Sequence, residues 1–349
     1  MDTQIIRVDE GHENTGLLRQ AGEVIKAGGL VAFPTETVYG LGGDAMNPDS
    51  SRKIYAAKGR PSDNPLIVHI CCMEDLAPIV KEIPEAARRL AEAFWPGPLT
   101  MIFEKSDLIP YETTGGLDTV AVRMPNHPVA MELIHAAGGY IAAPSANLSG
   151  RPSPTLAKYV VEDMVGRIEM IIDGGDVEIG LESTIIDMTE DIPLILRPGY
   201  ITKEMLEEVL QSVGEDKALM SDSSGQAPKA PGMKYRHYAP KGELTIVDGD
   251  LRRVVEYINE QTMFMQEKGH KVGIIGTDAT IAGYSGDLCK SVGERDEEAT
   301  IAKRLYRTLR EFDDEGVTVI FSESFDTAGM GQAIMNRLLK AAGHHVIRV

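Results

Sequence analysis

At 349 residues, with 43% hydrophobic and 25% charged positions, the chain is long enough for two cored domains, and this composition excludes a disorder-dominated protein. A formal net charge of −18 argues against the basic face that gripping a nucleic-acid backbone usually needs, yet leaves room for a few cations converging on a small anion. Three cysteines, Cys71, Cys72 and Cys289, make neither a disulfide framework nor a zinc spacing and read as reduced, mostly packed thiols.

Met1 to Gln4 lacks a basic segment leading into an apolar one, and no apolar run approaches the roughly 20 residues of a membrane helix, so a soluble, cytoplasmic protein is expected. Ile5 to Val8 reads as an edge strand. Thr15 to Ala27 reads as a helix with Leu17, Leu18, Ala21, Val24 and Ile25 on one face, stopped by Gly28-Gly29. The apolar strand Leu30 to Phe33 then delivers a polar turn, Pro34-Thr35-Glu36-Thr37, to its end. After a helix over Ser51 to Ala57 comes Lys58-Gly59-Arg60-Pro61-Ser62-Asp63-Asn64-Pro65, read as a mobile basic loop, and then the strand Leu66 to Ile70 carrying His69. Two strand ends and a basic loop suit an anionic substrate.

Pro84 to Phe94 is a second helix, ended by Trp95-Pro96-Gly97-Pro98, and Leu99 to Phe103 and Thr119 to Arg123 are strands. A helix over Pro128 to Ala137 precedes the strand Tyr140 to Ala143, which runs into Pro144-Ser145-Ala146-Asn147-Leu148-Ser149-Gly150. Strands at Glu169 to Ile172, Ser183 to Met188 and Leu194 to Arg197 and a helix at Lys203 to Val213 complete a first domain over 1–213. The mixture predicts a twisted, partly antiparallel α/β sheet. Gly214 to Gly242 reads as a linker, although Ala230 to Pro240 is dense in aromatic and basic side chains. Beyond it, alternating strands and helices over 243–349 predict a smaller, doubly wound, Rossmann-like parallel domain.

The chemistry-bearing residues leave alternatives open. Gly40-Leu41-Gly42-Gly43-Asp44-Ala45 fits the dinucleotide pattern G-x-G-x-x-A but does not join a strand directly to a helix, and there is no P-loop, H-E-x-x-H or G-x-S-x-G. Lys58 and Arg60 are either solvated loop charges or phosphate contacts, with the Gly/Pro loop and Asn64 favouring the latter. Arg123 suits a structural ion pair or a carboxylate clamp, and His69 a satisfied core histidine or a ligand contact. Ser145, Asn147 and Ser153 are turn formers or partners for ribose and phosphate. The glycine turns at Gly273 to Gly276 and Gly329 to Gly331 read as tight packing, so the second domain is assigned no catalysis. The rival functions are an RNA-binding module without chemistry and a nicotinamide-dependent oxidoreductase resting on Gly40 to Ala45.

PTETVYGLG, KGRPSDNPLIVHI, WPGPLT, GLDTVAVRMP, APSANLSGRPSPT, LEST and LRPG occur in this order, followed by APGMKYRHYAP and GMGQAIMNR. With these motifs the chain resembles the YrdC/Sua5 family, in its long form with a C-terminal domain. The resemblance implies a YrdC-like catalytic domain with a large open cavity. It also implies synthesis of threonylcarbamoyl-AMP and pyrophosphate from ATP, L-threonine and bicarbonate or CO2, for the t6A modification of tRNA. It assigns Arg60, Asn64, Thr119, Ser145, Ser153, Arg197 and Tyr238 to ATP, and Thr37, His69, Arg123, Ser183 and the backbone of Ala143 to threonine. Lys58 and Arg60 would neutralise phosphate charge as pyrophosphate leaves, Mg2+ would accompany ATP through unidentified ligands, and the Lys234 to Tyr238 stretch would close the cavity. The product would pass to the tRNA threonylcarbamoyl transferase complex, with tRNA contact weak or indirect and no membrane involved.

Overall fold

Asn14 precedes the first long helix, and the strands around it are short and apolar. The structure, a computed structural model, describes residues 1–8, 14–216 and 237–349. In chain order the first part forms β1 (Gln4–Arg7), α1 (Thr15–Lys26), β2 (Val31–Phe33), β3 (Gly40–Asp44), α2 (Pro48–Lys58), β4 (Ile67–His69), α3 (Leu76–Ile79), α4 (Glu85–Phe94), β5 (Leu99–Glu104) and α5 (Tyr111–Thr114). It continues with β6 (Thr119–Arg123), α6 (Pro128–Ala136), β7 (Ile141–Ala143), α7 (Ala157–Met164), β8 (Met170–Asp173), β9 (Thr184–Asp187), β10 (Leu194–Arg197), α8 (Lys203–Val209) and β11 (Gly214–Glu215). These strands make one eleven-stranded sheet in the order β1-β8-β2-β3-β7-β4-β6-β5-β9-β10-β11. Pairing is mixed: β4 and β6 are parallel, whereas β5 and β6, β4 and β7, and β2 and β3 are antiparallel. The expected mixed α/β sheet is thus present, with β1 at its edge.

Period-2 alternation sorts the strand side chains onto two faces. Val68, Met101, Phe103, Val120, Val122 and Ile186 join Ile54 of α2, Leu90 of α4 and Val160 of α7 in the main core. The other face is divided. Over β2, β7 and β8, Val31, Phe33, Ile141, Ala143, Met170 and Ile172 pack under Leu18, Ala21 and Ile25 of α1 and Val129, Leu133 and Ile134 of α6. Past β7 that helical roof stops. Ile67, Ile102, Ala121, Ile185 and Leu196 form a separate small cluster on β4, β6, β5, β9 and β10 that contains no helical residue. This half-roofed face carries most of the candidate site.

The second unit gathers β12 (Glu243–Asp248), α9 (Leu251–Glu267), β13 (Val272–Gly276), β14 (Leu288–Ser291), α10 (Glu298–Asp314), β15 (Val319–Glu323), α11 (Gly329–Ala341) and β16 (Val346–Arg348). Its five strands are all parallel, in the order β14-β13-β15-β12-β16. Val272 and Ile274 pack with Val254 and Ile258 of α9. Gly273, pointing the opposite way, sits against Phe312 of α10, with a Cβ site only 3.0 Å from Phe312 Cε1. Helices therefore cover both faces of the parallel sheet, and β15 lies between β12 and β13.

Several expectations change. Gly40 to Asp44 is itself a strand, antiparallel to β2, so the dinucleotide-fingerprint reading is removed. Its glycines serve close packing: a Cβ on Gly42 would lie 2.8 Å from Ile141 Cγ2. Gly214–Glu215, placed at the start of the linker, pairs parallel with β10 and belongs to the sheet. Lys58 is not in a loose loop but is the last residue of α2, which Asn47 caps at its start and Gly59, in the left-handed region, ends. Cys71 and Cys72 are only half-buried, and their sulfurs gather around Asp75 Oδ2 at 3.7 and 3.0 Å. Most of the Ala230 to Pro240 stretch, including Lys234, lies outside the described residues.

Candidate active site

The ladder places the predicted threonine residues side by side. His69 at the end of β4 is the register partner of Arg123 at the end of β6, and Thr100 of β5 is Arg123's partner on the other side. All three point to the half-roofed face. The turn after β2 meets them: Arg123 Nη1 donates to Thr37 Oγ1 at 2.9 Å, and Arg123 Nη2 lies 2.7 Å from Glu36 Oε1. Thr35 Oγ1 holds that turn by contacts to Thr37 Oγ1 at 2.9 Å and to the Val38 carbonyl at 2.7 Å. Arg123 and Glu36 are each about 95% buried, so the pair sits in a low-dielectric environment.

Burial by itself would raise the Glu36 carboxyl, but the Arg123 guanidinium outweighs it and holds the group below its ordinary value. Burial, and then the same guanidinium, push His69 down to about 3. His69 is therefore neutral at physiological pH, its Nδ1 donating to the Ile67 carbonyl at 3.0 Å. These strand ends thus hold one guanidinium and one carboxylate among the neutral Thr35, Thr37, His69 and Thr100.

A second group continues along the same face. Thr100 Oγ1 meets Ser183 Oγ at 2.7 Å, and Arg197 donates through Nε and Nη2 to the Ser183 carbonyl at 3.1 and 2.9 Å and through Nη2 to Ser183 Oγ at 3.1 Å. Ala143 ends β7 opposite Ile67. Thr119 begins β6 on the same face, about 13 Å along the strand from Arg123 at the usual rise per residue.

The third group lies where α2 ends. Lys58 Nζ donates to the carbonyls of Ser145 and Asn147, each at 2.5 Å, fixing the turn after β7, and Ser145 Oγ contacts Asn147 Oδ1. Arg60 folds onto the next loop, with Nη2 donating to Asn64 Oδ1 at 2.6 Å and to the Pro65 carbonyl at 3.1 Å. Ser153 Oγ donates to Glu182 Oε1 at 2.6 Å. Tyr238 belongs to the second unit, where its ring lies 5.2 Å from that of Tyr306 and under the guanidinium of Arg337.

Sequence reasoning did not single out Glu36, Thr100 or Glu182 as site residues. Each carries a weak signal: a carboxylate in the strand-end turn, one hydroxyl within an apolar strand, and an acid next to Ser183. Among the described residues, Cys71, Cys72 and Asp75 are the group with metal-ligand spacing.

The fold and the candidate site together define a mixed-sheet α/β protein that gathers buried polar and charged side chains at neighbouring strand ends, with no glycine-rich phosphate loop among the described residues. Residues 23–199 match the family model for Sua5, YciO and YrdC proteins, described as telomere recombination, and residues 201–343 match that of the threonylcarbamoyl-AMP synthase C-terminal domain. The chain belongs to the Sua5/YciO/YrdC family, in the long form that carries the Sua5 C-terminal domain. It is 49% identical to the threonylcarbamoyl-AMP synthase of Pyrococcus abyssi, over 99% of this chain and 100% of that protein. It is 50% identical to the enzyme of the same name from Bacillus subtilis, over 97% of each. The crystal structure of P. abyssi Sua5 complexed with L-threonine superposes with a TM-score of 0.94, at 48% identity over 99% of this chain and 100% of that one.

Proposed function

We propose that the chain is an L-threonylcarbamoyladenylate synthase, a nucleotidyltransferase that makes threonylcarbamoyl-AMP and pyrophosphate from ATP, L-threonine and bicarbonate or CO2. The observation that carries the reading is the buried cluster of Arg123, Glu36, Thr37 and His69 at adjoining strand ends, in a chain about half identical along its length to enzymes of that name. Threonine is held by Arg123, Thr37 and His69, with Ser183 and the Ala143 backbone beside them. ATP lies towards Arg60, Asn64, Thr119, Ser145, Ser153 and Arg197.

No side-chain nucleophile is required. The threonine nitrogen, deprotonated to the free amine, attacks CO2 and releases a proton to solvent; a carbamate oxygen then attacks the α-phosphorus, and the bond to pyrophosphate breaks. The protein's task is alignment and charge neutralisation. Lys58, held on two carbonyls, and Arg60, held on Asn64, supply fixed positive charge near the phosphates.

Mg2+ travels with ATP in this reading. The Cys71, Cys72 and Asp75 group offers soft thiols that do not suit it, and any protein oxygen it took would come from a carboxylate elsewhere. The product serves t6A formation by passing to a tRNA threonylcarbamoyl transferase, in the cytoplasm. In keeping with that, no helix among the described residues is long and apolar enough to cross a membrane.

The test is to mix the protein with ATP, Mg2+, bicarbonate and radiolabelled L-threonine, quench, and look for pyrophosphate and a threonine-labelled adenylate. Both are expected, and both should vanish without bicarbonate. A labelled adenylate that persists without bicarbonate would mean plain aminoacyl adenylation instead.

A further inference from the structure

Beyond the end of β4 the chain turns sharply. Cys72, in extended conformation, opens the 3-10 turn Met73–Asp75, and the Asp75 N–H donates to the Cys72 carbonyl at 3.3 Å. Residues three apart eclipse in such a turn, so the Asp75 carboxylate returns to the side of Cys72. Both neighbouring thiols then aim at one of its oxygens, Oδ2, from 3.7 Å for Cys71 and 3.0 Å for Cys72. Gly139 backs the carboxylate. It stands in the left-handed region at φ 99°, and a Cβ there would lie 3.4 Å from both Asp75 oxygens. Among the described residues no Lys, Arg or His pairs with Asp75, so its charge meets only two weak S–H donors. All three side chains are half-buried and reachable from solvent.

We propose that Cys71, Cys72 and Asp75 form a three-donor site for a borderline-soft divalent cation of the Zn2+ kind, separate from the strand-end cluster around Arg123. Geometry carries the argument. The two sulfurs and the carboxylate oxygen all lie within 4.8 Å of one another. Around a tetrahedral Zn2+, bonds of about 2.3 Å to sulfur and about 2.1 Å to oxygen set sulfurs roughly 3.8 Å apart and sulfur and oxygen roughly 3.6 Å apart. The triangle already has nearly those edges, and the shorter sulfur–oxygen contact needs to open by only about half an ångström. Two thiolates select against Mg2+ and Ca2+, which take oxygen donors. Three protein donors leave the fourth position to water. The adjacent cysteines show no zinc spacing in the sequence because the third donor is a carboxylate that the turn supplies.

The test titrates the full-length chain, stripped of metal and kept reduced by a phosphine, with Cd2+, whose bonds to thiolate absorb in the ultraviolet. One ion per chain is expected, with release of about two protons, since each sulfur gives up its proton as its bond to the metal forms. Zn2+ should displace the Cd2+ and, added alone, raise the Tm, whereas an excess of Mg2+ should do neither. Cys72→Ser should remove the saturable absorption, and Asp75→Asn should weaken binding at least about 10-fold. Cys289→Ser, in the second unit, should change nothing. Absence of saturable absorption overturns the proposal, and so does displacement of Cd2+ by Mg2+ or loss of the signal in Cys289→Ser. Should Cys72→Ser not fold, Asp75→Asn decides: an affinity equal to the parent's would mean that exposed thiols bind the ion without a built site, which also overturns it.

Discussion

The hydroxyls of Thr100 and Ser183 meet at 2.7 Å, and that contact joins the Arg123 group on β4 and β6 to the Arg197 group on β9 and β10. Thr100 is the register partner of Arg123, so its hydroxyl is the step between the two guanidinium clusters. Thr100→Val keeps the shape and removes the step. It should cost about 0.5–1.5 kcal/mol in urea unfolding and raise the KM for threonine several-fold. Unchanged values of both would show that the two clusters act independently.

Lys58 and Arg60 should separate in their effects. Lys58 is 2% exposed and neutralises two carbonyls in the Ser145 turn. Lys58→Met should therefore lose about 1–3 kcal/mol of stability along with turnover, because it strands buried acceptors. Arg60 is only half-buried. Arg60→Ala should stay within about 1 kcal/mol of the parent while kcat falls on the order of 100-fold, the usual scale for removing one charge-stabilising donor. Paired thermal melts and steady-state kinetics check both, and wild-type kcat in Arg60→Ala would remove it from catalysis.

Acid should weaken the fold through His69. Its folded-state value of about 3 lies below the ordinary 6.5, so between those limits the unfolded chain binds a proton that the native one does not. Stability is then complete above pH 6.5 and declines as pH falls towards 3, by up to about 1.4 kcal/mol per unit from this group. Glu36 is also depressed, and adds its own loss only at more acidic pH, below its ordinary 4.5. His69→Gln should flatten the pH 4–6 part of a stability profile measured by urea titration. A slope unchanged in the variant would place the sensitivity elsewhere.

Gly42→Ala tests what the glycine cluster is for. The added methyl would press on Ile141 and on Phe33, whose Cε1 lies 2.9 Å from the Cβ site, so a destabilisation of about 1–3 kcal/mol is expected. NADH fluorescence should show no binding in either protein. Binding in the parent that is lost in the variant would restore a nucleotide role for the strand.

Much of the fold was legible because polar or Gly/Pro boundaries frame its apolar runs. β6 and β10 match the strands read from the sequence, and α1 and α4 differ by one residue. β3 was not legible, since three glycines in five residues carry no strand propensity and only pairing with β2 and β7 makes a strand of them. β14 is half-exposed along its whole length and shows no alternation. In the candidate site, Arg123 at a strand end was legible as either an ion pair or a carboxylate clamp, whereas Thr37 and His69 were joined to it only by the family resemblance. That Glu36 and Thr37 share Arg123 was not legible, because Arg123 lies 86 residues beyond Thr37 and only the sheet register brings them together.

The half-roofed sheet has one more consequence. The pocket side chains sit on strands whose other face is the main core, so they cannot drift in sequence as loop residues do. Inserting or deleting one residue within β4, β6 or β5 would turn His69, Arg123 or Thr100 into the helix-packed side and bring Val68, Val122 or Met101 to the face those polar residues now occupy. This face can change its chemistry by substitution, but not by altering strand length.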